Sequence, residues 1–325
     1  KEEKHEDKES KEEKHEDKKD KHEDKKDKHE DKESKEDKHE DKEEKHEDKK
    51  ESNSDCKIAD DEQNIFNRGL AYYNGNEVPL NKSKAAHFFK ISADNGELRS
   101  MVFYANMLSK GDGIPINKQE AAFYFKMAAD KGDAESMLNY GLRLSFGDGI
   151  PSNKDESARY IKMAADNGLS KAMHFYAVKL NANPSSKKEA SRYFKMAADK
   201  GIVDSMFNYA DMLYKGDGIA MNKVEASRYY KMSADKGNDK AILIYASMLY
   251  NGDGITINKK EASRYFKIAA DKGNDKAILI YANMLLEGDG IAMNKKEGFR
   301  YLKMSADKGN ESAVNHYANM LSEGD

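Results

Sequence analysis

The 325-residue sequence has no tryptophan and a single cysteine, Cys56. One thiol excludes an internal disulfide and suits a reducing compartment. An intracellular, cytoplasmic location is therefore expected, with the ER lumen and nucleus also open to it. No apolar run approaches the roughly 20 residues that span a membrane, so no membrane insertion is expected. No glycine loop followed by Lys and Ser/Thr is present to hold a phosphate. A concentrated basic surface is also missing. The net charge is −4, residues 1–51 carry −7, and residues 52–325 therefore carry about +3. That near-neutral balance leaves no footprint for nucleic acid.

The first 51 residues lack apolar side chains altogether and consist of Lys, Glu, Asp, His, Ser10 and Ser34. Nothing there offsets the cost of ordering a backbone, so a disordered charged leader is expected. Opposite charges four apart, as at Asp24/Lys28, favour a lone helix, while like pairs such as Lys21/Lys25 oppose it. Six histidines, at 5, 15, 22, 29, 39 and 46, give the leader a weak capacity for metal and a charge that rises in acid. A disordered strand supplies no converging ligand shell, so no specific metal site is assigned. Residues 52–60 read as a junction.

The remainder of the chain is repetitive. The segment Gly237 to Lys272 is copied by Gly273 to Lys308 at 26 of 36 positions. An Ala-Asp-(Lys/Asn)-Gly signature ends at Gly96, Gly132, Gly168, Gly201, Gly237, Gly273 and Gly309, in steps of 36 with one of 33. A fixed period of this size marks a solenoid, whose units bury their apolar faces only by stacking. Within one unit, Ala241, Ile242, Tyr245, Ala246 and Leu249 fall on one helical stripe. Gly252-Asp253-Gly254 stops that helix. Asn258, with Glu261 three residues on, has the pattern of a reciprocal N-cap for a second helix. Its buried stripe is Ala262, Tyr265, Phe266, Ala269 and Ala270. The same Asn/Glu pair recurs at Asn117, Asn153, Asn222 and Asn294. The shortened fourth unit replaces its Gly-Asp-Gly with Asn181-Ala182-Asn183-Pro184 and keeps Ser186/Glu189 as the expected cap. Small residues at Ala105, Gly141, Ala177, Ala210, Ala246, Ala282 and Ala318 predict close helix contacts. The expected fold is all-α: a right-handed α-α superhelix over residues 61–325, with about seven helix pairs and a final unpaired helix. A chain that starts at Lys1 without Met and stops at Asp325 inside a Gly-Asp signature is expected to be a fragment.

These units resemble the Sel-1-like repeat, a relative of the tetratricopeptide repeat. The resemblance rests on Gly111-Asp112-Gly113-Ile114, Glu120-Ala121-Ala122 and Ala128-Ala129-Asp130-Lys131-Gly132. Departures are Tyr124 and its equivalents in the family's Trp column, and Tyr245 and Leu249 in exchanged Leu and Tyr columns. The resemblance implies a scaffold or adaptor in protein complexes. Fold alone does not fix function.

Several constellations fail on their spacing. Reading Gly-Asp-Gly-Ile…Glu as a calcium loop puts Leu108 and Lys110 at ligand positions, and Glu120 falls one place late. His87, His174 and His316 occupy unrelated repeat positions and read as helix-surface residues. Met101, Met137, Met173 and Met206, like Met127, Met163, Met196 and Met232, recur at columns read as core. Neither a catalytic residue nor a cofactor is assigned, and the chain is read as a non-enzyme. Function is instead expected in a second stripe of the first helices, at positions 3, 6, 7 and 10 after each signature Gly, which vary while their neighbours stay fixed. The candidate partner-binding residues are Lys240, Leu243, Ile244, Ser247, Lys276, Leu279, Ile280 and Asn283. They form paired Leu-Ile ridges flanked by lysines on a concave face, suited to a protein or peptide with acidic flanks. The competing view packs position 6 against the adjacent unit and leaves position 10 merely solvated. Two further functions stay open: a regulatory or targeting arm of a larger enzyme, such as a kinase, and a metal-binding or acid-responsive tether acting through the leader.

Overall fold

The computed structural model describes residues 62–323, and among these there are helices and no strands. The leader, the junction and Cys56 lie outside the described residues. The described residues form fifteen α-helices. In order they are α1 (Glu62–Asn74), α2 (Lys82–Asp94), α3 (Leu98–Lys110), α4 (Lys118–Asp130), α5 (Ala134–Phe146), α6 (Lys154–Asp166), α7 (Ser170–Asn181), α8 (Lys187–Asp199), α9 (Val203–Lys215), α10 (Lys223–Asp235), α11 (Asp239–Asn251), α12 (Lys259–Asp271), α13 (Asp275–Glu287), α14 (Lys295–Asp307) and α15 (Glu311–Glu323). Each odd-numbered helix pairs with the next even one, and α15 stands alone at the end. A single 3₁₀ turn, Pro184–Ser186, fills the shortened loop.

Both predicted stripes are the core. Ala241, Ile242, Tyr245, Ala246 and Leu249 are buried, as are Ala262, Tyr265, Phe266, Ala269 and Ala270. The small column is buried from Ala105 through Ala282, whereas Ala318, on α15, has no following helix among the described residues and is exposed. At Gly141 a Cβ would stand 2.7 Å from Ile161 Cγ1, so the backbones of α5 and α6 approach too closely for a side chain. Met101, Met137, Met173 and Met206 are core. Met127 and Met196 are only half-buried, and Met163 and Met232 are exposed. Those four follow the second helix's lysine column and lie at the margin of its apolar face, where a flexible thioether can half-cover the neighbouring unit.

The caps differ from a reciprocal box. Asn258 Oδ1 accepts from Glu261 N at 3.0 Å, as expected for an N-cap. Its own N–H, however, donates across the loop to Leu249 O at 2.8 Å, and Glu261 instead accepts from the Asn258 amide. The same backbone bond runs from Asn117 to Leu108, Asn153 to Leu144, Asn222 to Leu213 and Asn294 to Leu285, so each loop is closed by its own helix pair. Ser186 makes no side-chain cap bond. Asn183 takes the capping role one turn earlier, accepting from Ser185 N.

The Gly-Asp-Gly loop is a joint between units. Gly252 ends α11 in the left-handed region, at φ 73°. Asp253 accepts from Lys223 at 2.7 Å and from Tyr214 at 2.5 Å, both in the preceding unit. Gly254, at φ 77°, lies so near Lys223 that any Cβ would overlap it. The arrangement repeats as Asp112 with Lys82 and Tyr73, and as Asp289 with Lys259 and Tyr250. Where Ser109 replaces the tyrosine, Arg143 supplies the second donor, reaching both Ser109 Oγ and Asp148. The fourth unit has no such Asp. There Lys179 Nζ donates to the carbonyl of Lys154.

A second ladder joins the even-numbered helices. The aspartate that ends one accepts from a tyrosine hydroxyl of the next: Asp94–Tyr124, Asp130–Tyr160, Asp166–Tyr193, Asp199–Tyr229, Asp235–Tyr265 and Asp271–Tyr301, at 2.5–2.9 Å. These tyrosines occupy the family's Trp column. Each packs edge-on against the tyrosine of its own unit's first helix, as in Tyr245–Tyr265 at 5.0 Å. The shortened unit keeps this bond, so its stack survives the missing loop joint.

Candidate functional site

The predicted stripe divides into three environments. Lys240 and Lys276 are exposed at the start of α11 and α13. Leu243, Ile244, Leu279 and Ile280 are half-buried and packed against the core. Ser247 and Asn283 are half-buried one turn further on. Position 6 therefore contributes packing, and the Leu-Ile pairs are not free ridges. An apolar side chain at this position has the neighbouring helix on one side and water on the other, and it covers both as far as it can.

Ser247, Ile280 and Asn283 come together in one cavity of about 360 Å³ between α11 and α13. Tyr250, Asn251, Phe266, Met284 and Glu287 complete it. Phe266 and Met284 are core residues that lie beneath it, while the surface it exposes is mainly polar. Ser247 Oγ is spent on the Leu243 carbonyl, as Asn106 spends its amide on Val102. Asn283 differs: its Oδ1 is buried and has no hydrogen-bond partner. An unpaired buried acceptor costs about 1–3 kcal/mol, so this amide is held in an unfavourable state. Sequence reasoning missed Tyr250, Asn251 and Glu287. Their signal was present, because positions 13 and 14 vary between units as well (Tyr250 against Leu286, Asn251 against Glu287).

Lys240 belongs to a second cavity of about 460 Å³, shared with His174, Asp204, Phe207, Asn208, Asn238 and Asp239. Its ammonium stands 6.0 Å from the Phe207 ring centroid. His174 is not a surface histidine. Its Nδ1 lies 2.8 Å from Ser205 Oγ in the next unit, and burial pushes the imidazole below its ordinary value. Leu243, Ile244, Lys276 and Leu279 line neither cavity. Among the described residues no group of three His, Cys, Asp or Glu side chains could hold a metal ion. None of their helices is long and apolar enough to cross a membrane.

Comparison with solved structures finds this architecture elsewhere. A protective antigen of uropathogenic Escherichia coli strains, displaying an SLR fold, aligns with a TM-score of 0.72 at 21% identity. The alignment covers 80% of this chain and 57% of that one, so the chain spans little more than half the antigen's length. A Sel1 repeat protein from Oxalobacter formigenes aligns with a TM-score of 0.61 at 21% identity, covering 81% of this chain and 78% of that one. At such identities the likeness speaks for the fold alone. No curated protein sequence matches. The Sel1 repeat model matches seven times, at residues 65–97, 98–133, 134–169, 170–202, 203–238, 239–274 and 276–310, and the chain belongs to the Sel1 repeat family.

Proposed function

We propose that this chain is a non-enzymatic interaction scaffold that holds a partner protein or peptide along a concave face lined by its odd-numbered helices. Sel1 repeats generally mediate protein–protein interaction, and that much is common to the family. The finer reading places a partner segment across α11 and α13. The observation that carries it is the mainly polar cavity between these helices, with the unpaired Asn283 carboxamide oxygen at its wall. A turned carboxamide offers one donor and one acceptor, which matches the N–H and C=O of a peptide backbone. The half-buried Ile280 would receive an apolar side chain beside it, while Lys240 and Lys276 attract acidic flanks and speed encounter.

The test is the Lys240→Glu/Lys276→Glu double variant beside Asn283→Leu. Exposed charges rarely change folding by more than about 0.5 kcal/mol, so the charge variant should melt with the parent. Both variants should lose partners that cross-linking captures on the parent. An unchanged partner set for both would show that the segment binds elsewhere.

A further inference from the structure

A different surface recurs on the edge where each odd-numbered helix hands over to the next. The residue just before the N-cap asparagine is an exposed aliphatic in five units: Leu80, Ile116, Met221, Ile257 and Met293, each 57–62% exposed. Five equal exposures at one repeat position are a property of the unit rather than scattered surface residues, which by themselves need no explanation. In the third unit Ser152 stands at this place, and the fourth unit has no such loop, so the row splits into a pair, Leu80 and Ile116, and a longer run of three units over α9–α14. There Val224, 62% exposed, adds a fourth aliphatic to Met221, Ile257 and Met293.

The row is held stiffly. Ile257 packs its Cγ1 against the Gly252 backbone, and the loop beneath it is clamped by the Asp253 joint. Charge on this edge is unequal in availability. Asp217, Asp253 and Asp289 are paired with Lys187, Lys223 and Lys259, and Glu261 with Lys231. Lys260 and Lys296, at the second position of α12 and α14, are exposed and have no ion partner among the described residues. The edge therefore presents an aliphatic tip in each of three successive units, with the Lys260 and Lys296 ammonium groups three residues after Ile257 and Met293. Against these stands one exposed carboxylate without an ion partner among the described residues, Glu287, ahead of the last loop. These tips line neither the α11–α13 cavity nor the one that holds Lys240. Exposed aliphatic side chains beside lysines without ion partners suit an anionic lipid interface, where apolar groups enter the headgroup–acyl boundary and ammonium groups meet the headgroup charge.

We propose that the α9–α14 loop edge docks on an anionic lipid surface, with Met221, Val224, Ile257 and Met293 entering the headgroup–acyl boundary and Lys260 and Lys296 facing lipid phosphates and carboxylates. This goes beyond the scaffold reading and does not depend on it, because it uses none of the residues tested there. The experiment is co-sedimentation of the full chain with vesicles of phosphatidylcholine alone or mixed with phosphatidylserine, at low and physiological salt. Binding to the mixed vesicles should exceed binding to the neutral ones and weaken as salt rises. Lys260→Glu/Lys296→Glu should lower it by about fivefold or more for each lysine reversed. Ile257→Ser/Met293→Ser should lower it on both vesicle types, and both variants should melt with the parent. The proposal is overturned if the parent stays in the supernatant, if it pellets equally with both vesicles, or if neither edge variant changes the pelleted fraction. Capture of a protein by this edge, with vesicles ignored, would equally overturn it.

Discussion

The carboxylate of Asp253 meets the ammonium of Lys223 at 2.7 Å across the boundary between two repeat units, and Tyr214 of the same preceding unit donates to its other oxygen. An aspartate that looks like loop punctuation in the sequence is thus a fastener. Because Lys223 begins α10 and Asp253 follows α11, each bond ties the start of one unit's second helix to the loop of the next.

Replacing the glycine beside this fastener should cost more than removing the fastener. Gly254→Ala needs a left-handed backbone and overlaps Lys223, so it should destabilise by about 1–3 kcal/mol. Asp253→Asn keeps the shape and one acceptor and should lower the melting temperature less. Thermal melts of the two variants side by side check the order.

The small column makes a sharper demand. Ala246 is fully buried, and Ala246→Leu should overpack the α11–α12 contact at about 1–3 kcal/mol. An unchanged melt would mean that the helix contact is looser than this geometry requires.

The tyrosine–aspartate ladder should be readable one rung at a time. Tyr265→Phe removes the hydroxyl that donates to Asp235 at 2.5 Å while leaving the ring packed on Tyr245. A loss of about 0.5–1.5 kcal/mol is expected in denaturant unfolding. Native-state hydrogen exchange should place the added opening at the α10–α12 joint.

Acid should act late. Hydrogen bonds from Lys223 and Tyr214 hold the Asp253 carboxyl below its ordinary value, and those from Lys82 and Tyr73 do the same for Asp112. A lowered carboxyl contributes stability that is complete above its unfolded value, about 3.9, and is lost as pH falls through the folded one. His174, lowered by burial, adds a smaller loss that begins below about pH 6.5. The melting temperature should therefore begin to slip slightly below about pH 6.5 and fall further below about pH 4 as these carboxylates protonate, and His174→Gln should remove the first slope only.

Base acts through the core tyrosines. Burial, with the nearby Glu120 carboxylate, pushes Tyr104 up to about 12, and burial above all does the same for Tyr245. A raised group contributes stability that is whole below its unfolded value, about 10, and disappears as pH rises through the folded one. Ultraviolet titration should show these phenols ionising together with loss of helix rather than before it.

Periodicity determined the fold. A 36-residue copy with two apolar stripes and a glycine stop admits one arrangement of helices, because every unit must bury the same two faces against its neighbours. Helix order, the two apolar stripes, the small column through Ala282 and the position of the asparagine caps could be read from spacing, since each depends on residues within one turn or one unit. The Met127, Met163, Met196 and Met232 column, read as core, lies at its margin. The tertiary structure alone decided what depends on atoms far apart in the chain. It turned the loop aspartate into an inter-unit joint and sent the cap N–H across the loop to Leu249 instead of to Glu261. It also moved His174 from surface to interface. Most of all it decided exposure within the second stripe. Spacing puts Leu243 and Asn283 on one face of their helices, but only the neighbouring helix determines that the first is packed and the second faces a cavity. Burial is set by the distance and angle between units, and a repeat period carries neither.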